Sequence, residues 1–323
     1  MIPVFDLHQD LISVLRGVHD SAWSGHSPAL SHGNLERLQQ SGYKLIVQAV
    51  FPLYRHWGQY LTENPVVHAL RTVERLHELA EEHTEHLMLV KTQADLESLM
   101  QSHRMGFLIG YEGMYGVEDR WVLKALYRCG VRVLGLTWNV SNLVATGAWD
   151  ERDRGLSHLG RDLLLLADDL GFILDLAHAS PRTYQEVLDL PLRRPPIVSH
   201  TGVLPGEPRT RRNISLSQAR RVAQRGGLVG LALAKLFFEE PNTTLDTVAQ
   251  RVELLWQEIP QALSLGTDFF GFGPNEAIPG LEGVEGIRVL EQRLRSRGMS
   301  EGAVETLFYK NALNYLQAYL PME

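Results

Sequence analysis

The sequence predicts an α/β fold, and within that class a (β/α)₈ barrel, the TIM-barrel architecture. Eight short apolar runs alternate along the 323 residues with longer amphipathic stretches, which is the pattern of parallel strands covered by helices. The Gly-x-Gly-x-x-Gly fingerprint of open dinucleotide-binding sheets does not follow the first run. A closed barrel therefore fits better than an open sheet, and we expect residues 1–323 to form one barrel domain.

The predicted strands are short runs rich in valine, isoleucine, leucine and phenylalanine, which are typical of buried strands. A lesser run at 86–90 predicts an extra strand before the third barrel strand. In chain order the eight barrel strands are 2–7, 43–51, 107–112, 131–137, 172–177, 196–199, 228–233 and 263–267.

The stretches between these runs carry leucine or valine every three or four residues, as helices with one buried face do. Ser180 precedes Pro181, which is a typical helix start. Ser215 lies three residues before Gln218, the spacing of a capping box, although Asn213 is an alternative cap. The predicted helices include 64–82, 120–129, 160–170, 180–188, 215–225 and 244–257.

Composition argues against several partners. The 31 basic and 38 acidic side chains give a formal charge of −7, whereas a nucleic-acid or anionic-membrane surface normally shows a basic stripe. The single cysteine excludes an internal disulfide. The N-terminal residues show no basic leader, and no apolar stretch approaches the roughly 20 residues of a membrane span. We expect a cytoplasmic protein with neither nucleic-acid nor membrane partners.

The residues most suited to catalysis or metal binding lie at the ends of the predicted strands. In a (β/α)₈ barrel the active site lies at the C-terminal ends of the strands, and three of the thirteen histidines fall there together with three acidic residues. His8 and Asp10 are two residues apart in an extended segment, so their side chains point the same way. The residues at the strand ends are His8, Asp10, Glu112, His178, His200 and Asp268.

Five of these residues form a plausible metal-ligand set. Taken singly, each histidine could be a hydrogen-bonded core residue, and Glu112 could form a salt bridge, since a carboxylate at the end of an apolar strand is costly unless paired or metal-bound. Imidazole and carboxylate without thiolate suit zinc, with cobalt or manganese as substitutes. If Glu112 bridges two ions, one ion takes His8, Asp10 and Glu112, and the other takes Glu112, His178 and His200.

Seven ordered segments make the chain resemble the membrane dipeptidase (renal dipeptidase) family, peptidase M19. They run from residue 5 to about residue 273, and Asn311-Ala312-Leu313 resembles the family's C-terminal helix. The resemblance implies an amidohydrolase-like metal-dependent barrel with two zinc ions that cleaves dipeptides, some with a D-residue at the C-terminal position; homodimers are common among relatives. The segments are DLHQDL (6–11), YEG (111–113), GLT (135–137), LDLAHAS (174–180), VSH (198–200), RNI (212–214) and GTDF (266–269).

The resemblance also implies roles for single residues. It assigns the five metal ligands as divided above, Arg212 as the guanidinium that holds the substrate carboxylate, and Asp268 as the acid/base residue. Glu112 and Asp268 are then the catalytic residues, and a metal-bridged hydroxide attacks the peptide carbonyl. Arg212 could instead be a surface arginine of the basic run 209–212, and Asp268 could be a structural carboxylate that caps its loop.

Two positions depart from the family pattern. Trp138 stands where well-studied members have a histidine, and Phe270 stands where the family has a second aspartate. Trp138 is therefore predicted to contact substrate and to alter its choice. Two alternatives follow: a related dinuclear-metal amidohydrolase that acts on N-acyl amino acids, lactams or lactones, and a metal-binding barrel that serves as a scaffold.

Overall fold

Parallel strands dominate the computed structural model, which describes residues 1–12, 32–52, 55–56, 59–60 and 64–322. All eight predicted barrel strands are present, and the extra strand before the third is present too. The strands are β1 (Val4–Gln9), β2 (Tyr43–Val50), β3 (Arg55–His56), β4 (Gln59–Tyr60), β5 (Leu87–Leu89), β6 (Met105–Tyr111), β7 (Val131–Gly135), β8 (Ile173–Asp175), β9 (Val198–Thr201), β10 (Val203–Leu204), β11 (Ile214–Ser215), β12 (Val229–Leu231) and β13 (Leu263–Leu265).

Eight of these strands form the barrel in the order of the chain. The hydrogen-bonded path runs β8-β7-β6-β2-β1-β13-β12-β9, and every pairing along it is parallel. The two ends of the path meet where Asp175 of β8 forms a parallel bridge with Ile197, directly before β9. Ile197 donates to the Leu174 carbonyl at 2.9 Å and accepts from Leu176 at 2.8 Å. The predicted (β/α)₈ barrel is confirmed.

The barrel strands are covered by helices, and the six predicted helices are all present. A π-helical turn, Thr306–Lys310, precedes the last helix. The helices are α1 (Leu35–Gln40), α2 (Pro65–Glu82), α3 (Gln93–Met100), α4 (Arg120–Arg128), α5 (His158–Leu170), α6 (Pro181–Leu188), α7 (Leu216–Gln224), α8 (Leu245–Glu258), α9 (Gly286–Ser296), α10 (Glu301–Glu305) and α11 (Asn311–Tyr319).

The helix starts follow the local sequence signals. Ser180 caps α6 by accepting from the Thr183 backbone, with Pro181 in the first turn. Of the two candidate caps for α7, the structure uses Ser215, whose hydroxyl accepts from Gln218 N while the Gln218 side chain accepts from Ser215 N. Such a box satisfies two backbone N–H groups that the helix leaves unpaired.

The last helix closes one mouth of the barrel. Strand residues such as Phe5 and Leu108 form an apolar cluster with Ala312, Tyr315 and Leu316 of α11. Asn311 donates to the carbonyls of Pro260 and Leu263, beside the start of β13. The N-terminal mouth is therefore plugged, and the mouth at the C-terminal strand ends is left for a site. None of the helices in the described part of the chain combines the length and apolar character needed to cross a bilayer.

Two strand ends lie further along the chain than predicted. β1 continues through His8 because Gln9 still pairs with Gln48 of β2. β9 continues through His200 because Thr201 still pairs with Leu231 of β12. Both histidines therefore lie within strands rather than in loops, at points where the pairing register shifts as in a β-bulge, a feature that often re-aims a side chain at a site.

Candidate metal centre and substrate cavity

The six polar residues predicted at the strand ends lie together at the open mouth of the barrel. His8 and His200 belong to β1 and β9, and the other four come from the segments that directly follow β1, β6, β8 and β13. All are buried or nearly so; His200 is only 1% exposed. Five of the eight barrel strands thus contribute to one cluster, whose members are His8, Asp10, Glu112, His178, His200 and Asp268.

The two carboxylate oxygens of Glu112 face two different sets of side chains. Glu112 Oε2 lies 3.7 Å from His8 Nε2, which is itself 3.3 Å from Asp10 Oδ2. Glu112 Oε1 lies 3.0 Å from His178 Nε2 and 3.8 Å from His200 Nε2. Both sets have the spacing of metal-ligand groups. The structure therefore places Glu112 between the two sets into which the sequence divides the ligands.

Hydrogen bonds determine which ring nitrogen of two histidines faces the cluster. His178 Nδ1 lies 2.7 Å from Asn139 Oδ1, which can only accept. His200 Nδ1 lies 2.8 Å from Ser199 Oγ, whose own hydrogen goes to Asp175 Oδ2 at 2.5 Å, so Ser199 must accept from His200. Both Nδ1 atoms therefore carry hydrogen, as in metal-binding histidines with outer hydrogen-bond partners.

The two rings consequently point lone pairs at the same place. His178 Nε2 and His200 Nε2 are 3.0 Å apart, and burial lowers the pKa of both rings well below the usual value, so neither ring carries a second proton. Two lone pairs at this separation repel each other unless a cation lies between them. His8 Nε2 is likewise buried and forms no hydrogen bond within the described part of the chain. The donor set fits divalent cations.

Acidic groups are concentrated in the same space. Burial, together with neighbouring carboxylates, raises the pKa of Glu112 to about 8 and that of Asp268 to about 7. Burial opposes a charge on His8, but Glu112 and Asp10 beside it raise its pKa to about 10. The raised pKa values of the two carboxyl groups and of His8 all reflect an excess of acidic groups in this space, which bound cations would compensate.

A cavity of about 360 Å³ opens above this cluster. One part of its wall is polar and comprises Asp10, Glu112, His178, Asp268 and Arg212. The other part is mostly aromatic and comprises Phe51, Trp138, Trp149, Phe237, Phe270 and Phe272. Pockets of about this size, apolar with a few converging polar groups, are typical sites for small ligands.

Arg212 is buried in this wall, and the alternative of a surface arginine is wrong. Its Nη1 donates to the His200 carbonyl at 3.0 Å, and its guanidinium lies over the Phe237 ring, 5.0 Å from the centroid. Its Nη2 is buried and has no hydrogen-bond partner among the described residues. Because a buried donor without a partner is costly, this N–H group is available for an anionic part of a ligand.

The loop that carries Arg212 is held by Glu239. The Glu239 carboxylate accepts from Arg209 N at 2.8 Å, Thr210 N at 3.1 Å and Asn213 Nδ2 at 2.9 Å. Burial opposes the charge, but these donors hold the pKa of Glu239 below its usual value. The carboxylate thus fixes both sides of Arg212 without entering the cavity.

Two of the polar residues occupy the left-handed backbone region. His178 has φ 63° and Asp268 has φ 62°, a conformation that costs free energy in residues other than glycine and that clusters at functional sites. Asp268 N donates to the His8 carbonyl at 3.1 Å, which ties the turn to β1. Asp268 also has ligand spacing to His8 and His200, so the structure adds it to the groups that could hold a cation.

Four supporting residues were not predicted from the sequence. Asp175 offered a signal, since a charged residue stands inside the apolar run 174–177. Ser199 and Asn139 adjoin predicted site residues but give no signal of their own. Glu239 lies far from any motif, and only the fold brings it to the Arg212 loop.

Comparison with known proteins identifies the family of this chain. A family model described as Membrane dipeptidase (Peptidase family M19) matches residues 1–319. The dipeptidase verJ of Clonostachys rogersoniana is 25% identical over 332 residues, covering 98% of this chain and 84% of the relative. The dipeptidase tcpJ of Claviceps purpurea is 25% identical over 327 residues, covering 97% of this chain and 76% of the relative.

Solved structures share the fold. A metallopeptidase of family M19, described as dipeptidase AC, superposes with a TM-score of 0.88 at 21% identity and covers 99% of both chains. A metallopeptidase from Rhodobacter sphaeroides, liganded with a phosphinate mimic of the dipeptide L-Ala-D-Ala, gives a TM-score of 0.88 at 20% identity, covering 98% of this chain and 99% of that one. The chain belongs to the membrane dipeptidase family, peptidase family M19, and is a metallo-dipeptidase.

Proposed function

We propose that this dipeptidase holds two zinc ions and hydrolyses dipeptides that have a free C-terminal carboxylate, including dipeptides with a C-terminal D-residue. The observation that supports it most is the position of Glu112, with one oxygen toward His8 and the other toward His178 and His200. A carboxylate between two nitrogen and oxygen donor sets is the arrangement that a dinuclear centre requires.

The residues that would hold the two ions are His8, Asp10 and Glu112 for one, and Glu112, His178 and His200 for the other. Imidazole and carboxylate donors suit zinc, with cobalt or manganese as substitutes. Zinc bound there supplies Lewis acidity toward the scissile carbonyl and lowers the pKa of the attacking water toward about 7.

The chain's own side chains provide the other functions. Arg212 binds the substrate carboxylate through Nη2, the N–H group that has no partner among the described residues, and a planar guanidinium is well shaped for a carboxylate. Asp268, in the cavity wall beside His8, accepts the proton of the attacking water and returns it to the nitrogen of the leaving amine. The cluster is largely buried, and the reduced contact with bulk water strengthens each of these interactions.

Different observations support the preference for a free carboxylate and the acceptance of a D-residue. Arg212 and the cavity support the first. The second is supported by the resemblance to the family and by the structurally similar Rhodobacter sphaeroides enzyme, which holds a mimic of L-Ala-D-Ala.

A combined metal and substrate assay tests the proposal. We expect about two zinc ions per purified chain, loss of turnover after chelation, and recovery when zinc is added back. Ala-Ala and Ala-D-Ala should both be hydrolysed, whereas Ala-Ala amide should react at least about 100-fold more slowly because it leaves the buried Arg212 without its anion.

The same assay identifies the alternatives. If N-acetylalanine, a lactam or a lactone is hydrolysed faster than any dipeptide, the substrate belongs to that class rather than to the dipeptides. A chain that binds zinc but turns over none of these substrates would contradict catalysis and favour a scaffold.

Asn139→Ala tests whether the hydrogen bond to His178 serves the metal. The substitution removes the acceptor of His178 Nδ1–H, so the ring loses its orientation, and we expect zinc affinity to fall about 10- to 100-fold. Competition with a chromophoric chelator measures the affinity. Asn314→Ala, at an exposed position of α11, is the matched control and should leave it unchanged. Equal zinc affinity in the two variants would show that Asn139 does not support the ligand.

A further inference from the structure

Three aromatic side chains form a continuous part of the cavity wall, which we call the aromatic wall. The ring centroids of Phe51 and Trp138 are 5.4 Å apart, and those of Trp138 and Trp149 are 5.6 Å apart. All three side chains line the cavity. Trp149 is 60% exposed, and the other two are partly exposed. Large apolar surface that faces a cavity is a feature of ligand-binding sites.

Within the aromatic wall, Phe51 lies across the barrel mouth from Arg212, and Trp138 and Trp149 lie between the two positions around the ring. In the ring of eight strands, Phe51 directly follows the second strand, β2, and Trp138 follows the fourth, β7. Arg212 follows the sixth, β9. The second and sixth strands of an eight-stranded ring are diametrically opposed. The metal cluster lies between them, with Trp138 beside His178 at a centroid distance of 6.2 Å.

This placement determines which part of a dipeptide meets the wall. If the C-terminal carboxylate binds Arg212 and the scissile carbonyl lies at Glu112, the N-terminal residue extends away from Arg212. Its side chain then reaches Phe51, Trp138 and Trp149. Aromatic rings recognise apolar side chains by burial and aromatic side chains also by edge-to-face contact.

We propose that the aromatic wall is the subsite for the N-terminal side chain of the substrate, and that it selects dipeptides with a large apolar or aromatic N-terminal residue. The proposal rests on the substrate orientation that Arg212 gives in the proposed function. The cavity of about 360 Å³ is near the lower limit of ligand pockets, about 300 Å³, so it favours one large side chain over two.

Paired dipeptides of reversed sequence test the orientation and the preference together. We expect kcat/KM for Phe-Ala to exceed that for Ala-Ala by about 10- to 100-fold, the range expected for burying one aromatic side chain. Ala-Phe should show no such gain. Leu-Ala should fall between Phe-Ala and Ala-Ala.

Substitution at Trp149 tests the wall directly. Trp149→Ala should lower the ratio of kcat/KM for Phe-Ala over Ala-Ala at least about fivefold, mainly through KM, and Trp149→Phe should restore most of it. Trp121→Ala is the matched control, because Trp121 is 63% exposed on α4 with Arg120 and Lys124 around its ring. It should leave the ratio unchanged, and zinc content should be equal in all variants.

Each opposing outcome has a distinct meaning. An unchanged ratio in Trp149→Ala, or a gain for Ala-Phe equal to that for Phe-Ala, overturns the subsite while leaving the dipeptidase proposal intact. Absence of turnover for every dipeptide overturns the proposed function and the subsite with it.

Discussion

Glu112→Gln is expected to lower kcat/KM for a good dipeptide at least about 10³-fold and to reduce the bound zinc. Glutamine keeps the shape of the side chain but loses the negative charge and one of the two acceptor oxygens. Glu112 Oε1 and Oε2 face different sets of candidate ligands, so the change is expected to weaken both proposed ion sites at once. Lewis-acid stabilisation is worth several kcal/mol, and each 1.36 kcal/mol corresponds to a factor of ten in rate.

Zinc analysis and steady-state kinetics on the same preparation measure this effect. Glu97→Gln, at an exposed position of α3, makes the same chemical change away from the cluster and should behave as the unmodified protein. A Glu112→Gln variant with full turnover would show that this carboxylate does not bridge the two ions, and the proposed centre would have to be abandoned.

Asp268→Asn is expected to lower kcat about 10²- to 10⁴-fold while zinc content and KM stay nearly constant. An amide has the same shape as the carboxylic acid but cannot take up and release a proton, and positioned acid/base groups contribute about this factor. Asp268 lies in the cavity wall and its turn is tied to β1, so the isosteric change leaves the binding of substrate unaffected. Asp162→Asn, exposed on α5, controls for the loss of one charge.

Two other results for Asp268→Asn would each indicate a different role for this residue. Asp268 has ligand spacing to His8 and His200, so loss of zinc in Asp268→Asn would identify it as a ligand rather than a proton carrier. Full activity of the variant would support the structural alternative, in which the carboxylate only caps its loop.

The departures from the family pattern concern the cavity wall and leave the metal cluster intact. Trp138 cannot exchange a proton near pH 7, and it lies in the aromatic wall between Phe51 and Trp149. Phe270 also lines the cavity, where the family pattern has a carboxylate. Both changes replace polar or titratable groups by aromatic surface. They are therefore expected to alter which side chains the cavity accepts, while the roles proposed for Asp268 and Arg212 do not depend on them.

The barrel and the cluster could be predicted because their signals are local in the sequence. Each barrel strand is a short apolar run, and the polar residue that ends it, such as Glu112 or His178, lies at a mouth whose position follows from the fold class. Parallel strands bring all their C-terminal ends to one side. A set of strand-end histidines and carboxylates therefore predicts a shared site even though its members are far apart in the chain.

The remaining features depend on contacts between segments that no local pattern connects. The ring nitrogens of His178 and His200 are oriented by Asn139 and by the Ser199–Asp175 pair, and Arg212 is buried rather than exposed because its loop is held by Glu239. Phe51 of the aromatic wall lies opposite Arg212 only because the second and sixth strands of an eight-stranded ring are opposed. Residue types and spacing specify which groups can bind a cation, but hydrogen-bond partners, burial and position across the barrel are properties of packing, which arise only when the ring is closed.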